Sequence, residues 1–143
     1  MTVPTINGWQ VETQSLAHGT AGIALLRVEL ALTGTGTWHD AHRALVLVTS
    51  GPLDGSPSGC LVHGAPALRF VLHTATADGQ PRYHKAATAL DRHVHRITRR
   101  RLDAAWNRIE QEVPGTFGEY DLLYGLTGLG LVLLRTAPAS DTL

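Results

Sequence analysis

The sequence has a single cysteine, Cys60, so no intramolecular disulfide can form and nothing marks an oxidising compartment. Charge is scarce too. Charged residues make up 17% of the 143-residue chain, against about 25% in an average soluble domain, while hydrophobic residues make up 43%. Helices in such a chain are expected to be buried on more than one side. Neither sign of charge dominates. Lysines plus arginines and aspartates plus glutamates both number 12, which removes the general electrostatic argument for a nucleic-acid or membrane partner. Long apolar runs are missing as well. The longest uncharged apolar stretch covers residues 122–134, short of the roughly 20 residues of a transmembrane helix. Residues 1–14 are polar and lack the apolar segment of a secretory signal. The expectation is a soluble, cytoplasmic protein of one domain, without a transmembrane segment.

What is present is helical periodicity. After an irregular lead-in over residues 1–14, an almost wholly apolar segment over residues 19–33 reads as a helix buried on most faces, interrupted only by Arg27 and Glu29. Thr33-Gly34-Thr35-Gly36 ends it. Thr37 and Asp40 form a capping signal for a second helix with one apolar stripe, Ala41, Ala44, Leu45, Leu47 and Val48. A Gly/Pro/Ser-rich loop over residues 51–59 precedes a third, apolar helix that starts near Gly64, has Pro66 in its first turn and is closed by Asp78-Gly79. Pro81 opens a long amphipathic helix with Tyr83, Ala87, Leu90, Val94 and Ile97 at a spacing of three to four. The stripe slips at Leu102 and resumes at Trp106 and Ile109, which predicts a bend near residues 99–101 or a rotating stripe. Pro114-Gly115 ends that helix, and a fifth covers residues 122–135. No segment alternates with period two over a strand's length. The fold class is therefore all-α, with buried helices alternating with amphipathic ones as inner and outer layers.

Three of the apolar helices start alike: His18-Gly19-Thr20-Ala21-Gly22, His63-Gly64-Ala65-Pro66-Ala67 and Tyr124-Gly125-Leu126-Thr127-Gly128. One such glycine is an ordinary helix-start residue. Three, each opening the most apolar helix of its unit, predict a repeat of stacked units in which inner helices approach closely.

Two segments carry a resemblance to a known family. Ser15-Leu16-Ala17-His18-Gly19-Thr20-Ala21-Gly22-Ile23 resembles the first repeat of LanC-type lanthionine synthetases. Glu119-Tyr120-Asp121-Leu122-Leu123-Tyr124-Gly125-Leu126-Thr127-Gly128 resembles the family's more specific acidic–aromatic–Asp segment. The resemblance runs from Ser15 onward and implies a partial α/α toroid over residues 15–136. It implies a reaction in which a zinc-bound cysteine thiolate of a precursor peptide adds to dehydroalanine or dehydrobutyrine, giving a lanthionine or methyllanthionine ring. A metal suits this step because the thiolate is the nucleophile and coordination deprotonates the thiol.

By the same resemblance Asp121 is the catalytic candidate, for acid/base work or for positioning a histidine near the metal. By its residues alone it is a helix N-cap. The family's zinc ligands belong to later repeats, so zinc is expected in a complete enzyme, none is expected to be bound by this chain, and the chain alone is expected to be inactive. Residues 137–143 read as a tail at an expected truncation point. Expected partners are a precursor peptide (leader and core), and a dehydratase or a second chain that completes the toroid. The alternative is a non-catalytic helical module that binds a precursor peptide or partner enzyme.

The remaining candidates are local. His18 and His63 read as structural residues at inner-helix starts, and Cys60 as a small buried residue. His39 and His42 could chelate a metal but lack a third ligand. His93 and His95 do not share a helix face. Arg92, Arg96, Arg99, Arg100, Arg101 and Arg108 read as a solvated outer face, with Arg96 and Arg100 as candidates for docking an acidic leader peptide.

Overall fold

A computed structural model describes residues 5–6, 9–10 and 13–137. Residues 138–143, and with them most of the expected tail, lie outside the described residues. The lead-in holds one antiparallel pair, β1 (Thr5–Ile6) with β2 (Trp9–Gln10), in which Ile6 faces Trp9 in register. Two residues per strand is too short for any period-two signal to be read. The other named elements among the described residues are helices: α1 (Thr20–Leu32), α2 (Trp38–Thr49), α3 (Ala65–Thr74), α4 (His84–Glu110), α5 (Phe117–Tyr120) and α6 (Leu126–Thr136).

The expected punctuation holds where it is local. Gly19 and Thr33 cap α1. Thr37 caps α2, its hydroxyl accepting from the Asp40 amide at 3.1 Å and donating to Asp40 Oδ2 at 2.9 Å. Pro66 sits in the first turn of α3, where its missing N–H costs no helical bond. Other boundaries differ. α3 stops at Thr74, and the chain reaches Gly79 (φ +79°) through turns. α4 starts at His84, after Tyr83 in a left-handed conformation, rather than at Pro81. The expected fifth helix, residues 122–135, is α6 and starts four residues later at Leu126, after a tight turn over residues 121–125; a single helical turn that was not expected, α5, precedes it.

α4 runs unbroken through residues 99–101, and its apolar stripe rotates off the buried face. Leu90, Val94 and Ile97 are buried. The next inward positions are Arg101, Ala105 and Arg108, while Leu102, Trp106 and Ile109 are exposed, Trp106 at 62%. α1 is also less buried than its composition predicts. Ala21, Ala24 and Val28 face the core, but Ile23 and Leu26 are 55% and 56% exposed. On α2, Leu47 of the expected stripe points outward.

α1 packs on α2 and α3, α3 on α4 and α6, and α4 on α6. The three apolar helices α1, α3 and α6 thus form an inner row, with amphipathic α2 and α4 outside it. Val28, Leu68, Val71, Ile97 and Leu129 are nearly or fully buried between these layers, each contributing roughly 1.5–3 kcal/mol of transfer free energy. The inner helices start at one end of the row. Leu16 N–H donates to Val62 O at 2.9 Å, and Ser15 and His63 form a bridge. At the α6 start, a Cβ on Gly128 would lie 3.0 Å from Leu61 Cβ.

Candidate functional site

The three helix starts are built on one plan. Gly19, Gly64 and Gly125 are the N-cap residues of α1, α3 and α6. Four residues before them stand Ser15, Cys60 and Asp121. Ser15 O accepts the Gly19 N–H at 3.1 Å, and Asp121 O accepts the Gly125 N–H at 3.0 Å. The side chains repeat the pattern. Ser15 Oγ accepts the His18 N–H at 3.1 Å; Asp121 Oδ1 accepts the N–H groups of Leu123 at 2.9 Å and Tyr124 at 2.6 Å. The later glycines also correspond. A Cβ on Gly22 would lie 2.2 Å from Leu16 O, and one on Gly128 2.0 Å from Leu122 O, so the preceding turn folds directly onto each helix. The middle unit departs from the plan. Cys60 and His63 exchange main-chain hydrogen bonds at 3.0 and 3.1 Å, and Ala67 stands where the others have glycine. Gly64 has φ +73°, a conformation in which its missing Cβ is needed.

The residues just before the glycines differ in their surroundings. His18 and Tyr124 are exposed. His63 Nε2 meets Asp54 Oδ2 at 2.8 Å, a contact between the α3 start and the preceding loop. Burial would raise the Asp54 carboxyl, but hydrogen bonds from Ser56 and from His63 outweigh it and hold the group below the usual carboxylate range. Gln14 fastens the same loop to the first unit, donating to Pro52 O and accepting from the Asp54 amide, both at 2.8 Å. Cys60 is 2% exposed, as expected of a small core residue.

Asp121 is not an N-cap. It is the C-cap of α5, and Gly125 caps α6. Its carboxylate forms an Asx turn that fixes Oδ1, while Oδ2 makes no hydrogen bond among the described residues. Thr127 Oγ1 donates to Tyr120 O at 2.8 Å and holds the turn from the helix side. Around the carboxylate, Phe117, Tyr120, Leu122, Leu123 and Tyr124 leave much of their apolar surface open.

Two arginines that the sequence assigns to a solvated face support this turn instead. Arg108 forms a two-pronged ion pair with Glu119, at 2.5 Å from Nε and 2.8 Å from Nη2, and its Nη1 donates to Val113 O. The hydrogen bonds from Arg108 hold Glu119 below the ordinary glutamate range. Arg101 donates from Nε to Pro57 O at 3.1 Å, from Nη2 to Gly59 O at 3.0 Å and from Nη1 to Tyr124 O. Their spacing carried a usable signal: from Ile97, Arg101, Ala105 and Arg108 continue the inward line of α4 at steps of four, four and three. An open cleft of about 460 Å³ lies beside them, lined by Arg101, Ala105, Arg108, Thr116, Glu119 and Tyr124. Arg92, Arg96, Arg99 and Arg100 remain exposed.

The other histidines do not gather into a site. His42 stacks on Tyr83, ring planes within 8°, and its Nδ1 lies 3.3 Å from Tyr83 Oη. His93 packs against Gly55 with Nδ1 buried and unpartnered among the described residues, and His95 is exposed. No group of three or more His, Cys, Asp or Glu side chains among the described residues could hold a metal ion. With Cys60 buried and His63 turned to Asp54, the described residues do not fit a zinc site.

What the arrangement offers chemically is one carboxylate held by Oδ1, with Oδ2 making no hydrogen bond among the described residues, beside exposed apolar side chains, a group able to carry a proton. No helix among the described residues is long and apolar enough to cross a membrane. In comparison with known proteins, a family model described as lanthionine synthetase C-like protein matches residues 10–142. No curated protein and no solved structure matches.

Proposed function

The chain belongs to the lanthionine synthetase C-like protein family, whose pattern covers residues 10–142, and from that premise we propose that it is the N-terminal part of a lanthipeptide cyclase. The reaction adds a peptide cysteine S–H across the double bond of dehydroalanine or dehydrobutyrine. Sulfur bonds to the β-carbon, the π pair moves to the α-carbon and its carbonyl as an enolate, and a proton is returned to the α-carbon. No atom is lost. Asp121 carries that proton on Oδ2, while Oδ1, bound by the Leu123 and Tyr124 amides, keeps the group aimed. The observation that supports this reading is the Asp121 turn itself: a carboxylate held by one oxygen, within the family-matched segment, on an open apolar rim.

Because the described residues do not fit a zinc site, no step assigned to them passes through a metal; zinc belongs to the complete enzyme, where it would deprotonate the peptide thiol. On this reading, no cyclisation is expected from the chain alone. Its partners are a precursor peptide, with Arg96 and Arg100 as exposed cations for an acidic leader, and either a dehydratase or a second chain that completes the ring of helices.

The test is a thiol count, since cyclisation leaves the peptide mass unchanged. A dehydrated precursor peptide with free cysteines is incubated with zinc and the chain, alone or with a polypeptide supplying the remaining repeats, then alkylated. The expected result is full alkylation with the chain alone, protection in the completed mixture, and loss of protection with Asp121→Asn. Tight peptide binding without thiol protection in the completed mixture would replace the cyclase by a non-catalytic peptide-binding module.

A further inference from the structure

Arg101 stands where the buried stripe of α4 should continue one turn beyond Ile97, a position for an apolar side chain. Its guanidinium instead spans two units of the repeat. Nε and Nη2 donate to Pro57 O and Gly59 O in the loop before α3; Nη1 donates to Tyr124 O in the turn before α6. All three acceptors are main-chain carbonyls. No carboxylate pairs with Arg101 among the described residues, and each of its three nitrogens donates to backbone. The planar guanidinium suits this because its donors diverge at fixed angles, which the single ammonium of lysine cannot copy.

The residue it grips is the one Asp121 grips from the other side. Asp121 Oδ1 accepts the Tyr124 N–H, and Arg101 holds the Tyr124 carbonyl. We infer that Arg101 is the positioning residue of the Asp121 carboxylate: by anchoring Tyr124 to the loop of the preceding unit, it fixes the turn whose amides hold Oδ1. The inference rests on the reading of Asp121 as the proton carrier. It adds that the carboxylate's aim is set across the boundary between two units, and not by the Asx turn alone.

Amide hydrogen exchange on the whole chain, with no peptide present, tests this apart from any cyclisation. The Leu123 and Tyr124 amides report the two hydrogen bonds to Oδ1 directly, and the Val71 and Val94 amides report the core. In Arg101→Lys and Arg101→Met the two turn amides should exchange at least about tenfold faster while the core amides stay unchanged. Exchange at Leu123 and Tyr124 in Arg101→Lys equal to wild type would overturn the inference. So would an equal acceleration of turn and core in both variants, which would make Arg101 a general stabiliser. In the completed cyclase, Arg101→Lys should slow thiol protection by about the factor by which the turn opens. A wild-type mixture that protects no thiol would remove the cyclase reading and leave the exchange result to judge the anchoring.

Discussion

Ser15 and Asp121 occupy the same place in two different units: each lies four residues before an N-cap glycine, and each accepts the backbone N–H three residues ahead, Ser15 Oγ from His18 and Asp121 Oδ1 from Tyr124. The first unit shows that a hydroxyl is enough to make the turn. The carboxylate of the third unit therefore supplies something the turn does not need, a second oxygen.

This separates fold from chemistry at one position. Asp121→Ser should keep the turn and fall within about 0.5 kcal/mol of wild-type stability, whereas Asp121→Ala should cost about 1 kcal/mol through the lost hydrogen bonds. Denaturant unfolding measures both. In the thiol assay with the completed enzyme, Asp121→Ser should be as inactive as Asp121→Asn. Normal cyclisation by the serine variant would show that the second oxygen has no role.

The glycines of α6 are not equivalent. A Cβ on Gly128 would sit 2.0 Å from Leu122 O, a backbone atom that cannot swing aside, while a Cβ on Gly130 meets nothing within 4 Å. Gly128→Ala, like Gly22→Ala in the first unit, should destabilise by at least the roughly 1–3 kcal/mol of ordinary overpacking. Gly130→Ala should stabilise by about 0.5–1 kcal/mol through reduced backbone entropy in the unfolded chain and better helix propensity. Thermal unfolding of the three variants gives the comparison, and a harmless Gly128→Ala would mean that the turn does not press on α6 as described.

The Arg108–Glu119 pair gives the α5 region a pH dependence with a definite sign. Glu119 is held below its ordinary value by Arg108, so its folded pKa lies under the unfolded one. Such a group stabilises the fold above the unfolded pKa, and that contribution is lost as pH falls through the folded pKa. Against Glu119→Gln, which cannot ionise, wild type should be more stable by a constant margin above about pH 5. The margin should shrink as pH drops below about 4, the ordinary glutamate range. Urea midpoints for both proteins between pH 7 and pH 3 are the measurement; a margin that persists at pH 3 would mean that the ion pair contributes nothing to stability.

Much of this protein is legible in its sequence because much of it is local. The Thr37–Asp40 cap and the glycine-started helices depend on hydrogen bonds and steric contacts between residues a few positions apart. Residue type and spacing determine these wherever the segment ends up. The same locality exposed the repeat and, through the Glu119-Tyr120-Asp121 segment, the family. Where a short-range rule was applied one element too far, it failed: Asp121 precedes an apolar run, yet it closes α5, because a single helical turn of four residues leaves no periodicity to read.

Direction was decided only by the tertiary structure. Arg100 and Arg101 are adjacent in sequence and alike in chemistry, and nothing in their types says that one meets solvent while the other clasps three carbonyls of two distant loops. The side chain that turns inward is fixed by where α3 and α6 lie against α4, and by carbonyls that need a donor at that seam. For the same reason the apolar faces of Ile23 and Leu26 look buried in sequence and stand open in the fold: composition sets what a face would gain from a neighbour, and packing alone decides whether a neighbour is there.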